Sequence, residues 1–420
     1  MQQPSATDRD TRPHAGTRPL EGIRVLELGQ LIAGPFAGSL LAYFGAEVIK
    51  VETPGTGDPL RNWRVLKNGT SLWWRSMGRN KKCITLNLRD ERGRALARQL
   101  AEQVDVLIEN FKPDTLEKWN MGPEVLEAAN PGLIVARISG YGQDGPYAAR
   151  PGFASACEGF GGLRYINGHP EQVPVRPNLS LGDTLAAVHA VIGVLLALVQ
   201  RQRTNGQSPD AQPGTGRGQT VDVAIFESVY NMLESVVPEY SGAGIVREPS
   251  GSTLTGIVPT NTYTCGDGKH VVIGGNNDSI FKRLMRAIDR ADLAADPRLA
   301  DNAGRVAHQA EVDGAIAHWT GQRAQAQALA AMEAASVPCG PINSVADMMA
   351  DPHFRARGLF EQVEVDGEPL DIPALRPKLS RTPGKTLWPG PEVGAHNAEV
   401  FGELGLGAEE IEQLRAHGVL

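Results

Sequence analysis

The chain has 420 residues, of which 41 are Lys or Arg and 48 are Asp or Glu, for a formal net charge of −7. At roughly 150 residues per domain this length implies two or three domains, and with 41% apolar residues it excludes a disulfide-stapled miniprotein and wholesale disorder. The acidic balance argues against nucleic acid or an anionic membrane as a partner, and four scattered cysteines (Cys83, Cys157, Cys265, Cys339) without a CxxC pair point to a reducing cytoplasm and to no metal.

Residues 1–18 are polar and read as a disordered tail, not as a signal peptide. Gly22 to Leu28 is short, apolar and partly β-branched, which predicts a buried strand. The loop Gly29-Gln30-Leu31-Ile32-Ala33-Gly34 leads to Pro35, which suits the start of a helix that runs to Phe44 and stops at Gly45. Ala46 to Val51 reads as a second strand, so the first elements form a strand–helix–strand unit with a parallel pair. The alternation continues, with strands expected at 83–88, 104–109 and 133–138 and helices at 91–103 and 116–129. It predicts an α/β protein with a large Rossmann-like doubly wound domain over 19–235. Ala186 to Val199 is apolar but for His189; it is too short to span a bilayer and reads as part of a buried helix over Leu185–Gln200. A polar Gly/Pro-rich loop at 204–218 precedes a strand from Thr220 to Ile225. Beyond it we expect a linker at 236–254, a smaller α+β domain at 255–345, a proline-rich return linker at 346–385, and a C-terminal helix at 386–420 that rejoins the large domain.

Three features of the sequence bear on chemistry. The first loop, Gly29 to Pro35, joins a strand to a helix N-terminus, the place where open α/β sheets bind ligands and where anions are favoured. Its spacing is not GxGxxG, no Walker lysine follows, and the glycines serve a plain turn equally well. Glu52 ends the second strand, where dinucleotide-binding folds place an acid for the ribose. The second feature is a trail of cations beside strand ends: Arg79, Lys81, Lys82, Arg89, Lys112, Lys118 and Arg150. Converging strand-end loops would let such cations hold a polyphosphate, although a lone charge of this kind is ordinarily solvated surface. The third is Asn178-Leu-Ser-Leu-Gly182-Asp183-Thr184. Asp183 stands just before the apolar helix, so it reads either as an N-cap or as a carboxylate nucleophile, which can form covalent acyl intermediates. His189 reads as a core residue, and neither a GxSxG elbow nor a zinc-binding histidine motif is present.

Eight blocks in order together resemble one family. They are PLEGIRVLELGQLIAGPFAG at 19–38, FGAEVIKVETPGTGDPLR at 44–61, RNKKCITLNL at 79–88, DVLIENFKP at 105–113, SGYGQDGPYAARPGF at 139–153, NLSLGDTLAA at 178–187, TGRGQTVDVAIFES at 215–228 and VPCGPI at 337–342. The sequence is similar to the family III CoA-transferases, the group of the formyl-CoA:oxalate and carnitine enzymes. The resemblance implies a large Rossmann-like domain built from both chain ends, a smaller domain from the middle, and two ring-like chains interlocked in a homodimer. It implies coenzyme A, entering as an acyl-CoA substrate, with Asp183 as nucleophile. The family's CoA-binding positions fall here on Leu31, Ile32, Ala33, Leu86, Arg89, Asn110, Phe111, Lys118 and Arg150. Its oxyanion and substrate loop falls on Gly274 and Gly275, within Gly274-Gly275-Asn276-Asn277.

Two departures turn the expected acceptor away from oxalate. Ile32 stands where formyl-CoA:oxalate enzymes carry glutamine, and their glycine quartet is only a pair here. The segment 158–176 looks more like relatives that use succinyl-CoA and dicarboxylic acids, and its Arg164 and Arg176 suit a distal carboxylate. The nearest rival is an acyl-CoA racemase or epimerase of the same fold, but Phe153 occupies the position of that group's catalytic histidine and cannot take a proton. A nicotinamide-dependent dehydrogenase lacks its GxGxxG, and a non-catalytic CoA-binding protein would leave Asp183 as an N-cap alone.

Overall fold

A computed structural model describes residues 18–204 and 216–420. The disordered reading of residues 1–17 and most of the polar loop expected at 204–218 lie outside the described residues. The chain forms two compact units: residues 18–161, 179–204, 216–232 and 356–420 make the first, and residues 162–178 and 233–355 the second.

The first unit is built on six parallel strands: β1 (Arg24–Glu27), β2 (Glu47–Glu52), β3 (Lys81–Thr85), β4 (Val106–Glu109), β5 (Ile134–Ser139) and β6 (Thr220–Ala224). Their spatial order is β3-β2-β1-β4-β5-β6, the order of dinucleotide-binding folds. Side chains alternate between the two faces, as strand geometry requires. Val25, Val48, Val106, Ile134 and Ala136 join one core with helices α1 (Ala33–Tyr43) and α6 (Leu181–Thr204). Leu26, Ile49, Leu107 and Val135 join the opposite core with α2 (Glu91–Ala101) and with Phe401 and Ile411. The last two residues sit on α10 (Asn397–Glu403) and α11 (Ala408–Ala416), so the end of the chain covers a sheet laid down by its beginning.

The expected elements recur, with shifts that have local causes. The third strand begins at Lys81 and leaves Leu86 in the loop beyond it. The single helix expected at 116–129 is two, α3 (Thr115–Lys118) and α4 (Pro123–Ala129). Asn120 takes a left-handed φ of 54°, and Pro123 starts a new first turn. The long apolar helix is longer than its apolar core: α6 spans 24 residues, enough to cross a bilayer, with 39% of its most apolar window buried. It is not a wholly buried helix, because Ile192, Leu196 and Val199 are exposed.

The second unit holds a three-stranded antiparallel sheet of β7 (Thr260–Thr264), β8 (His270–Gly274) and β9 (Cys339–Pro341), with β8 central. Helices pack on it around Val271, Ile273, Phe281, Leu284, Ile316 and Trp319. Residues 162–178 group with this unit, whereas the sequence put them in the large domain. The segment read as a linker at 236–254 contains α8 (Val236–Ala243). The return segment carries a hairpin, β10 (Phe360–Val365) with β11 (Glu368–Pro373), and the expected C-terminal helix is the pair α10 and α11.

Candidate active site

The strand order reverses between β1 and β4, and the loops that leave these two strands diverge there. Asn110 ties them together. Its Oδ1 accepts from the Gln30 N–H at 2.7 Å, and its Nδ2 donates to the Gln30 carbonyl at 2.8 Å. The approach is close because Gly29 and Gly34 face each other: a Cβ on either would lie 3.0 Å from the other's Cα. Leu31 adopts a left-handed φ of 65° and donates its N–H to both Asp58 oxygens, at 3.1 and 3.2 Å. Ile32 occupies the N-cap of α1 with no side chain capping the helix. The N–H groups of Ala33 and Gly34 have no hydrogen-bond acceptor among the described residues. Phe111 follows Asn110, donates its N–H to Glu109 at 2.7 Å and packs edge-on to Trp119. The sequence-derived positions Leu31, Ile32, Ala33, Asn110 and Phe111 therefore meet at one crevice.

The cations divide into two groups. Arg89, Lys112, Lys118 and Arg150 are exposed on loops and the short helix beyond the strand ends, and none of Arg89, Lys118 and Arg150 forms a salt bridge among the described residues. Arg150 lies over the Tyr147 ring, 3.5 Å from its centroid. The other three are structural. Arg79 is buried and donates to the carbonyls of Ser76 and Pro373, both at 2.6 Å. Lys81 is buried against Glu27 at 2.8 Å, and Lys82 bridges Glu47 and Glu399, both at 2.9 Å. These three are withdrawn from phosphate binding. Glu52 is likewise no ribose ligand, since it is buried and grips Arg61 through two hydrogen bonds, at 2.7 and 2.8 Å.

Asp183 is not an N-cap. Helix α6 begins at Leu181, and the Thr184 N–H already closes on the Ser180 carbonyl at 3.1 Å. Asp183 is thus a half-buried member of the first turn, where the helix dipole favours a carboxylate. Gly182 before it is buried and donates its N–H to Oε1 of the fully buried Glu158 at 3.1 Å. A Cβ at Gly182 would come within 3.0 Å of Ile225 and 3.2 Å of Glu158. Burial pushes the Cys157 thiol up to about 11, and the charges of Asp183 and Glu158 push the same way. Two carboxylates and a thiol therefore converge at the start of α6. Sequence reasoning did not single out Glu158, which carries no motif of its own. His189 has a packing role: its Nδ1 lies 2.8 Å from the Leu185 carbonyl and its Nε2 3.1 Å from the Asn231 amide.

The remaining residues lie in the second unit. Arg164 sits half-buried in the single turn Leu163–Ile166, and Arg176 is exposed, with its Nε 3.3 Å from the Pro177 carbonyl. Gly274 ends β8. Its N–H donates to Pro338 at 3.0 Å, and that of Gly275 donates to Pro259 at 2.8 Å. Both donors are engaged, which corrects their expected part as oxyanion donors. Gly275 has a packing reason to lack a side chain, because a Cβ would lie 2.7 Å from Leu284.

Comparisons with known proteins agree on one relationship. The family model of CoA-transferase family III matches residues 20–397. The chain is 46% identical over 406 residues to a succinyl-CoA–D-citramalate CoA-transferase of Chloroflexus aurantiacus, covering 96% of this chain and 98% of that protein. It is 35% identical to a succinate–glutarate CoA-transferase of Agrobacterium fabrum, covering 92% and 96% of the two. Among solved structures, a CAIB/BAIF family protein from Brucella suis superposes with a TM-score of 0.79 at 34% identity, covering 93% of this chain and 100% of that one. With the family match spanning most of its length and such relatives covering nearly all of it, the protein belongs to CoA-transferase family III.

Proposed function

We propose that the protein moves CoA from succinyl-CoA to a second dicarboxylic acid, with Asp183 as the covalent acyl carrier. The observation that carries this reading is the carboxylate in the first turn of α6, set beside a buried second carboxylate. A carboxylate oxygen of Asp183 attacks the donor thioester carbonyl. The carbon–sulfur bond breaks, CoA leaves as thiolate, and a mixed anhydride remains. The thiolate then attacks the aspartyl carbonyl, which releases the donor acid and leaves an aspartyl-CoA thioester. The acceptor carboxylate attacks that thioester and expels CoA thiolate. The thiolate finally attacks the acceptor's carbonyl in the second anhydride and frees Asp183. The thioester is conserved throughout, so the exchange requires no ATP. Negative charge develops at the positive end of a 24-residue helix, which supports each tetrahedral step.

The first loop supports CoA binding, because two unengaged N–H groups at the start of α1 and the exposed Arg89, Lys118 and Arg150 suit phosphates. Leu31, Ile32, Ala33, Leu86, Asn110 and Phe111 are assigned to the rest of the cofactor. Arg164 and Arg176 are assigned to the distal carboxylate of the acid. The similarity to a succinyl-CoA–D-citramalate CoA-transferase and to a succinate–glutarate CoA-transferase favours the dicarboxylate assignment. The exposed apolar face of α6, with Ile192, Leu195 and Leu196, suits burial against a second copy in an interlocked homodimer. Phe153, 74% exposed, offers no base for racemisation. The test is a CoA-exchange screen of succinyl-CoA and acetyl-CoA against mono- and dicarboxylates. Succinyl-CoA with a C4 or C5 dicarboxylate should give the fastest exchange; a preference for oxalate, formate or carnitine contradicts the acceptor assignment.

A further inference from the structure

Beneath the first loop lies a cluster of six charged side chains, Glu27, Lys50, Glu52, Asp58, Arg61 and Lys81, none more than 4% exposed. Lys50 pairs with Asp58 at 2.9 Å and with Glu27 at 3.4 Å, Lys81 pairs with Glu27 at 2.8 Å, and Arg61 pairs with Glu52 at 2.7 Å. Three acids face three bases, so the formal charges cancel. Burial works against the Lys50 ammonium, but Asp58 and Glu27 outweigh it and hold it above the ordinary lysine value. Room for the cluster is built into α1: a Cβ on Gly38 would lie 1.9 Å from a Glu27 oxygen.

Removing so many charges from water is costly, and buried ion clusters are often replaced by apolar residues without loss of stability. Stability alone is therefore a weak reason for this cluster, and its contacts suggest another. Lys50 Nζ donates to the Gly29 carbonyl. Asp58 accepts the N–H of Leu31 at 3.1 Å and that of Leu60 at 2.9 Å. Lys81 Nζ donates to the Pro35 carbonyl at 2.7 Å. The cluster thus grips the loop at its first residue, at its left-handed residue and at the start of α1.

We propose that Lys50 and Asp58 are positioning residues for CoA, which fix Gly29 and the left-handed Leu31 so that the N–H groups of Ala33 and Gly34 are held ready for the ligand's phosphates. This rests on the reading of the first loop as a CoA site. The test is the double variant Lys50→Met with Asp58→Asn, which removes one acid and one base and leaves the other four charges balanced. Its melting temperature, CoA binding by calorimetry, and kcat and KM for succinyl-CoA are measured against wild type. The folded double variant should show a melting temperature near that of wild type, CoA affinity weakened about 10-fold, KM for succinyl-CoA raised about 10-fold, and kcat within about 3-fold. The KM of the acceptor acid should not change. Should the double variant fail to fold, Asp58→Asn alone, which keeps the side chain's shape, should raise the same KM. An unchanged KM in the folded variant, or a fall in kcat with KM unchanged, overturns the proposal. A wild-type protein that binds no CoA overturns instead the reading of the loop on which it rests.

Discussion

Asp183 sits in the first turn of a 24-residue helix that begins before it, at Leu181, so its removal should separate chemistry from folding. Losing a first-turn carboxylate together with its local contacts costs about 1–2 kcal/mol, too little to unfold a protein of this size. Asp183→Ala should therefore melt within a few degrees of wild type while CoA exchange disappears, as thermal denaturation and an exchange assay on the same sample will show. Arg89→Ala and Lys118→Ala remove exposed cations assigned to remote phosphates. Steady-state kinetics should find KM for the CoA donor raised, with kcat little altered, because this binding energy is present before and during reaction. Arg164→Ala or Arg176→Ala should lower the ratio of specificity constants for succinate over butyrate by about 10-fold, the worth of one charge-assisted hydrogen bond. An unchanged ratio in both removes these arginines from the acceptor site. Which cations were structural was not legible in the sequence, because their partners are remote in the chain. Lys81 meets Glu27, Lys82 meets Glu399, and Arg79 donates to Pro373, none of which lies in its own segment.

At the scale of elements, the start of α6 is the most constrained joint around Asp183. Gly182 is wedged against Ile225 and Glu158, so Gly182→Ala should overpack the turn and cost about 1–2 kcal/mol. Its kcat should fall more than its KM, since the added methyl displaces the turn that carries Asp183 while the first loop is untouched; a destabilised variant with normal kcat would show that the turn tolerates displacement. Elements legible from the sequence were those with a strong local pattern: a β-branched run at Val48 and Ile49, and a glycine stop at Gly45 after a helix whose first turn holds Pro35, two residues inside its start at Ala33. Those misread had mixed signals. The helix expected across 116–129 ignored the break before Pro123, and the Ser/Gly/Pro-rich stretch that hides α8 looked like a linker. Ser180 and Asp183 both suit an N-cap by residue type, so local pattern does not fix whether Asp183 precedes α6 or lies in its first turn.

At the scale of the whole molecule, the parallel α/β architecture followed from alternation alone, whereas grouping residues 162–178 with the second unit depended on long-range packing that no local pattern encodes. The exposed face of α6 makes the quaternary proposal testable. Leu196, 66% exposed, should become buried between copies, so wild type should run as a dimer in native mass spectrometry and Leu196→Glu, which buries a charge there, should lower the melting temperature of that dimer; a wild-type monomer would contradict the dimer itself. The central claim is that the acyl group and CoA pass through Asp183. It is tested by incubating the protein with succinyl-CoA and hydroxylamine and mapping the product by peptide mass spectrometry. Hydroxylamine attacks the aspartyl-CoA thioester, releases CoA thiol and leaves a hydroxamate. The account predicts that modification on the peptide containing Asp183, dependent on succinyl-CoA and absent from Asp183→Ala. Active CoA exchange with no hydroxamate, or with the hydroxamate on another residue, would contradict it.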